Sequence, residues 1–176
     1  MKRIMTYGSR YGTTRRYAEK LSEITGIPLM NEADVGDLSS FGHIIHLGGL
    51  YAGGVKGLRK VVKHMPKGAS LLVITVGLAD VNNEVNTAKI KKDVKSQVPE
   101  DLWGRTQVAH LRGGIDYSGL SIVHKAMMAM LCLTLKATPE EERTAETQAM
   151  IDTYNQKVDF TDFSALDSIA RTIMGS

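Results

Sequence analysis

Residues 6–14 read Thr6-Tyr7-Gly8-Ser9-Arg10-Tyr11-Gly12-Thr13-Thr14. This segment follows a short apolar run and precedes residues 15–24, in which Tyr17, Leu21 and Ile24 recur at helical spacing. We therefore expect it where a first β-strand turns into a first α-helix. At such a junction backbone N–H groups and the positive end of the helix dipole face outward, and glycines let a ligand approach the backbone. The segment predicts a phosphate-binding loop, although a capped helix start in any α/β protein has a similar composition.

The sequence of this segment differs from those of two common nucleotide-binding loops. The segment lacks the Gly-Lys-Ser/Thr ending of Mg-nucleotide loops and the G-x-G-x-x-G spacing of dinucleotide folds. Its pattern Ser9-x-x-Gly12-x-Thr14 resembles the T/S-x-T/S-G-x-T loop of flavodoxins, which wraps the phosphate of FMN. Tyr11 departs from that pattern, because flavodoxins usually carry a smaller hydroxyl residue there.

Two further loops follow apolar runs that predict buried parallel strands. The first reads Gly48-Gly49-Leu50-Tyr51-Ala52-Gly53-Gly54, and its tyrosine offers an aromatic face that suits an isoalloxazine ring. An ordinary surface loop with an exposed tyrosine is the alternative. The second loop, residues 78–83, follows the apolar run 70–77 and resembles in position the third flavin loop of flavodoxins, many of which stack a tyrosine there. It has no aromatic residue, so the resemblance implies that the outer face of the flavin is open to a substrate or partner.

Composition favours one globular domain, residues 1–176, with 43% hydrophobic residues. The net charge of +3 does not by itself indicate nucleic acid, and there is no basic run with interleaved aromatic residues. The single cysteine, Cys132, lies in an apolar run that predicts a buried thiol. No secretory signal follows Lys2-Arg3, so we expect a cytoplasmic protein.

The apolar runs and helical patterns alternate as β-α-β-α-β-α-β-α-β. This order predicts an α/β fold, a doubly wound parallel sheet of five strands in the flavodoxin-like order 2-1-3-4-5 with helices on both faces. A receiver domain has the same class of fold, but its chemistry needs acidic residues at strand ends, and the first strand ends in Thr6-Tyr7-Gly8. His43 and His46 could form a metal pair, but without a third candidate ligand we predict packing or hydrogen-bonding roles and no metal site.

Residues 118–136 are almost continuously apolar and contain a cluster of methionines. The stretch between Leu120 and Leu135 is shorter than the ~20 residues that span a bilayer. Three interpretations remain open: a buried helix, a homodimer contact, or a surface that meets lipid at the inner face of the membrane or a hydrophobic partner. Pro139 and three following glutamates predict the start of a charged helix.

Together, the loops at Ser9–Thr14 and Gly48–Gly53 and the run Leu111-Arg112-Gly113-Gly114-Ile115-Asp116-Tyr117 resemble the bacterial flavodoxin-domain family that includes the flavodoxin-like protoporphyrinogen oxidases. The resemblance covers essentially the whole chain. It implies noncovalent FMN at the carboxyl edge of the sheet and a helical insert after the fifth strand, at about residues 113–160. The candidate FMN-binding residues are Ser9, Arg10, Tyr11, Gly12, Thr13, Thr14, Gly49, Leu50, Tyr51, Ala52, Gly53, Gly77, Leu78, Ala79, Asp80 and Asp116.

Three functions fit these observations. The first is an FMN-dependent oxidoreductase that acts on a flat hydrophobic substrate such as a porphyrinogen or a quinone, with no catalytic acid or base assigned. The second is an electron-transfer flavodoxin that serves protein redox partners, although carriers are commonly acidic and this chain is slightly basic. The third is a dimeric scaffold without flavin.

Overall fold

A computed structural model of the chain describes residues 1–51 and 54–175. The strands lie at β1 Arg3–Gly8, β2 Leu29–Asn31, β3 His43–Tyr51, β4 Gly54–Val55, β5 Ser70–Gly77, β6 Thr106–Arg112, β7 Gly114–Asp116 and β8 Lys157–Asp159. The main sheet has the order β2-β1-β3-β5-β6 and all four of these pairings are parallel. Since β4 is only a two-residue strand, this is the predicted order 2-1-3-4-5 of a flavodoxin-like α/β fold, which is confirmed.

Helices cover both faces of this sheet. They lie at α1 Thr13–Thr25, α2 Leu58–His64, α3 Glu84–Lys95, α4 Glu100–Trp103, α5 Ile122–Ala137, α6 Ala145–Asp152 and α7 Leu166–Met174. One core contains Leu21 of α1 and Leu166 of α7, and the other contains Leu58 of α2 and Val94 of α3. The central strands β3 and β5 are apolar on both faces because both cores cover them.

His46, in the middle of β3, is fully buried and hydrogen bonded at both ring nitrogens. Nδ1 lies 2.9 Å from Oγ1 of Thr6, and Nε2 lies 2.8 Å from the carbonyl oxygen of Lys56. The carbonyl can only accept, so Nε2 carries the proton. Burial lowers the pKa of His46 to about 4, although the hydrogen bond to Lys56 opposes the shift. The hydrogen-bonding role predicted for this histidine is therefore confirmed.

The spacing of Leu58, Val61 and Val62 predicts a helix from Val55 to about His64, but the helix begins three residues later than that, at Leu58. Val55 instead pairs with Leu50 in a short antiparallel hairpin between β4 and β3. The side chain of Gln97 accepts a hydrogen bond from the N–H of Val55 at 3.0 Å. Val55 therefore has an extended conformation because it pairs with β3, although the local sequence pattern assigns it to the helix.

The insert after β6 is predicted to be helical, but it also contains two strands. Its two ends, β7 and β8, form an antiparallel two-stranded sheet in which Asp116 lies opposite Lys157. Between them lie α5, a 3₁₀ turn at Glu140–Glu142 and α6. The charged helix predicted from Pro139 is thus divided into that turn and a separate helix.

Helix α5 is buried on one side only. Met128 and Cys132 are buried, which confirms the prediction for the cysteine, whereas Ile122 is 87% and Met130 and Leu133 are each 72% exposed. Burial of the whole apolar stretch is therefore wrong, and contact with a second copy, a partner or lipid stays a prediction. Among the described residues, no helix combines the length and apolarity needed to cross a bilayer.

Candidate functional site

The carboxyl ends of β1, β3, β5 and β6 meet at one edge of the sheet, where doubly wound proteins bind ligands. A cavity of about 50 Å³ lies there and is also lined by side chains from α5 and α6. Of the candidate residues, it contacts Ser9, Tyr11, Thr13, Thr14, Gly49, Leu50, Tyr51, Gly77 and Leu78. The three loops singled out in the sequence therefore converge on one place.

The first loop has the geometry of an anion site. Gly12 is the N-cap residue of α1 and has left-handed dihedrals, φ 93° and ψ −26°, which a residue with a side chain rarely adopts. The hydroxyl oxygen of Ser9 accepts a hydrogen bond from the N–H of Gly12 at 3.1 Å, so its own proton can still be donated. The N–H groups of Thr13 and Thr14 begin the helix and have no intrahelical acceptor. These donors and the helix dipole together favour a phosphate group.

One donor of this loop is already used within the protein. The hydroxyl of Thr13 donates to the carbonyl oxygen of Gly114 at 3.1 Å. That bond connects the first loop to the start of the insert. The backbone N–H and the helix dipole remain the contributions of Thr13 to an anion at this position.

Tyr51 connects the second loop to the first. Its hydroxyl oxygen accepts a hydrogen bond from the N–H of Arg10 at 3.1 Å, and the Arg10 guanidinium carbon lies 5.3 Å from the tyrosine ring centroid. The ring of Tyr11 meets Tyr51 edge to face with centroids 5.9 Å apart. Burial raises the pKa of Tyr51 to about 12, so the phenol stays neutral over the physiological range.

The third loop is occupied by a carboxylate from the insert. Glu146, in the first turn of α6, accepts hydrogen bonds from the N–H of Leu78 at 2.8 and 3.0 Å and from the N–H of Ala79 at 2.9 Å. Burial raises the pKa of Glu146, while the two amides and the nearby Arg112 oppose that shift. The prediction that this side of the site is open is therefore wrong, because the insert folds back over the loop.

Four other candidate residues do not line the small cavity. Arg10 lines a larger neighbouring cavity, and Gly12 and Asp116 line a third one on the other side of the first loop. Asp80 is exposed and accepts a hydrogen bond from the N–H of Asn82 at 2.9 Å. Ala52 and Gly53 lie outside the described residues.

Asp116, at the end of β7, forms polar contacts within the insert. It accepts hydrogen bonds from Ser118 and forms a 2.9 Å ion pair with Lys157 of β8. These hydrogen bonds, with that of Ser118 the largest contribution, lower the pKa of Asp116 to about 2. Asp116 therefore helps to close the insert and does not contact the small cavity.

The larger neighbouring cavity has a volume of about 590 Å³ and shares Tyr11, Tyr51, Met128 and Met150 with the small one. One side is cationic, with Arg10, Lys56, Arg59 and Lys60. The other side is apolar and comes from the insert, with Met127, Met128, Leu131 and Met150. The volume lies in the range of about 300–1,000 Å³ that is usual for small-molecule pockets.

Sequence reasoning missed Glu146, Met128 and Met150 as lining residues. Glu146 lies 68 residues from Leu78 along the chain, and an acidic residue in the first turn of a helix is already explained by the helix dipole. Met128 belongs to the apolar stretch that was noted, but helical periodicity does not tell which side of α5 faces the site. No local pattern gave either contact.

The donor sets fit the two ends of FMN. The first loop supplies amides, a hydroxyl and a helix N-terminus for the phosphate. The N–H groups of Leu78 and Ala79 already hold two carboxylate oxygens, and donors of this kind can also bind the carbonyl groups at the polar edge of a flavin ring. The space between the two sets is narrow because Glu146 lies in it.

The family model of the flavodoxin domain matches residues 4–142 of the chain. No curated protein matches. Among solved structures, a Bacteroides uniformis protein assigned as a flavoprotein aligns with a TM-score of 0.48 and 11% identity, over 66% of this chain and 93% of its own. Oxidised flavodoxin 1 from Bacillus cereus aligns with a TM-score of 0.45 and 14% identity, over 64% of this chain and 84% of its own. The family match covers more than half of the chain, which therefore belongs to the flavodoxin-domain family and has flavin mononucleotide as its cofactor.

Proposed function

We propose that this chain is an FMN-dependent oxidoreductase that exchanges electrons with a flat, hydrophobic small molecule such as a porphyrinogen or a quinone. The observation that carries the proposal is the 590 Å³ cavity, which adjoins the cofactor edge and has both an apolar and a cationic side. Bound FMN supplies the redox chemistry. The chain binds the cofactor, orients it and holds the substrate beside it.

In this proposal the first loop holds the phosphate. The hydroxyl of Ser9 and the amides of Thr13 and Thr14 donate to the phosphate oxygens, and Gly12 gives the backbone the turn that aims them. The ring extends from there towards Tyr51 and the amides of Leu78 and Ala79. Support comes from five of these residues that line a single cavity: Ser9, Thr13, Thr14, Tyr51 and Leu78.

The phosphate site is tested by Ser9→Ala. Loss of one hydrogen bond to a charged group costs about 1.5–3 kcal/mol, so FMN affinity should fall roughly 10- to 100-fold. Affinity for riboflavin, which has no phosphate, should stay unchanged. Both constants can be measured by quenching of flavin fluorescence, with Ser39→Ala as the control because Ser39 is exposed and its hydroxyl donates to Asp37. Equal FMN affinity of Ser9→Ala and wild type would remove Ser9 from the phosphate site.

The substrate lies in the larger cavity. Met127, Met128 and Leu131 contact the flat apolar body, and Arg10 and Arg59 lie where acidic groups of a substrate can be held. Apolar walls also exclude water from the space between substrate and flavin.

Met127→Trp tests this placement because it fills the cavity from α5. We expect a KM for quinone or porphyrinogen that rises about tenfold, with FMN affinity unchanged. Met130→Trp is the matched control, since Met130 is on the same helix, is 72% exposed and does not line the cavity. Stopped-flow absorbance of the FMN-loaded protein mixed with substrate gives the rate. A wild-type protein that exchanges electrons with neither class of molecule rejects the proposal.

An electron carrier for protein partners is the second candidate. The exposed apolar side of α5, with Val123, Met130 and Leu133, favours it because such a surface can dock on another protein. For a carrier, Met130→Trp should impair electron transfer to a protein acceptor and Met127→Trp should have little effect. The same two variants therefore separate the two functions.

A further inference from the structure

Glu146 makes a contact that neither electron transfer nor substrate binding explains. Its carboxylate extends from α6 to the carboxyl edge of the sheet. There it accepts three hydrogen bonds of 2.8–3.0 Å from the N–H groups of Leu78 and Ala79. Hydrogen bonds between amides and a carboxylate are among the stronger ones in proteins. These bonds therefore connect α6 to the loop after β5, at the place where the polar edge of a flavin ring would bind.

The carboxylate lies inside the cofactor cavity. A Cβ atom added at Gly77 would come within 2.7 Å of Glu146 Oε2 and 2.8 Å of Leu50 Cδ1. The Glu146 side chain therefore fills the space between the loops after β3 and β5. The cavity that remains is about 50 Å³, room for one or two water molecules at about 30 Å³ each. A three-ring heterocycle and the Glu146 carboxylate cannot both occupy this place.

Besides Glu146, the residues Ala149 and Met150 of α6 are partly buried and pack against the cluster of Leu78, Ile115, Tyr117 and Met128. The helix has eight residues and none of them is buried. Its N-terminal side is connected to the end of α5 by Arg143, which donates to the carbonyl oxygens of Lys136 and Thr138 at 2.9 and 3.0 Å. When Glu146 leaves the amides, α6 therefore keeps its attachment to α5. Segments with few buried contacts are the ones that open at low cost.

We propose that Glu146 is an internal ligand that competes with the polar edge of the flavin for the amides of Leu78 and Ala79. Helix α6 then acts as a lid, and FMN binds only as the carboxylate is displaced. This inference rests on the proposed placement of FMN. In this inference the insert controls the affinity for FMN and also lines the substrate cavity.

The test compares FMN binding by wild type, Glu146→Ala and Glu146→Gln. Removal of the competitor should tighten FMN binding at least about tenfold in Glu146→Ala and by less in Glu146→Gln, which retains one acceptor oxygen. Glu142→Ala is the matched control, because Glu142 is an exposed acid of the same segment. Calorimetry and flavin fluorescence give the dissociation constants, and circular dichroism checks that each variant is folded.

A second readout follows the lid itself. In wild type, FMN should shift the amide NMR signals of residues 145–152, because α6 leaves the sheet while Arg143 keeps it attached to α5. Equal FMN affinity in wild type and Glu146→Ala overturns the lid while the cofactor site stands. Weaker binding by Glu146→Ala overturns it too, because Glu146 would then hold the flavin. Absence of FMN binding by every variant overturns the cofactor site and the lid together.

Discussion

Tyr17→Phe should destabilise the protein although it removes a single oxygen atom. The Tyr17 side chain lies in the core, with the residue 1% exposed. Its hydroxyl donates to the carbonyl oxygen of Arg112 at 2.7 Å and accepts from the N–H of Asp162 at 2.8 Å. One oxygen thus joins α1 to the end of β6 and to the segment that leads into α7.

The expected loss follows from these two bonds. Each hydrogen bond contributes about 1 kcal/mol net, and a buried partner left without a bond costs about 1–3 kcal/mol, so we expect a loss of about 2–3 kcal/mol in the free energy of unfolding. For a chain of this length the melting temperature should fall by roughly 5–10 °C. The phenylalanine ring keeps the packing against Phe163, whose centroid lies 5.5 Å away, so loss of packing does not contribute.

Urea unfolding followed by circular dichroism measures this change, with the slope of the transition unchanged. Tyr7→Phe is the control, because the Tyr7 hydroxyl accepts only one long bond, 3.3 Å from Nδ2 of Asn31. That variant should lose less than about 1 kcal/mol. If Tyr17→Phe costs no more than Tyr7→Phe, the hydroxyl does not connect the three segments energetically.

Three further predictions concern other parts of the protein. Because the pKa of His46 is lowered to about 4 from about 6.5, stability should be full above pH 6.5 and fall by about 3 kcal/mol between pH 6.5 and 4; His46→Gln should flatten this pH dependence of urea unfolding, and an unchanged slope would contradict it. Cys132 is 6% exposed, so a thiol reagent should label it only in denaturing urea, and rapid labelling of the native protein would show that α5 opens. Arg16→Ala breaks a 3.0 Å ion pair with Asp159 in which both side chains are about half exposed, so it should cost at most about 1 kcal/mol and less in high salt; a loss above 2 kcal/mol would be inconsistent with a surface pair.

The main sheet could be predicted because its signals are local. Apolar runs ending in glycine gave β3 and β5, and the helical spacing after Gly12 gave α1. Alternation of these elements then restricts the topology to a doubly wound sheet. The convergence of the three loops follows from that topology, since the carboxyl ends of parallel strands share one edge.

The insert could not be predicted in the same way because its contacts are distant in sequence. Strands β7 and β8 have three residues each, too few for a period-two pattern, and they pair across about forty residues of chain. Glu146 bonds to amides 67 and 68 residues away. A sequence pattern reports which side of an element is apolar, but it does not report what that side meets.

The pairing of β7 with β8 determines how the insert is joined to the rest of the chain. Asp116 of β7 and Lys157 of β8 lie opposite each other. The insert therefore begins and ends at adjacent positions. A tight hairpin turn of about two to four residues could join them, so we expect a chain without residues 117–156 to keep the main sheet. Such a trimmed protein would be a minimal flavodoxin, and grafting other sequences into the same opening would offer a route to new specificities on an unchanged base.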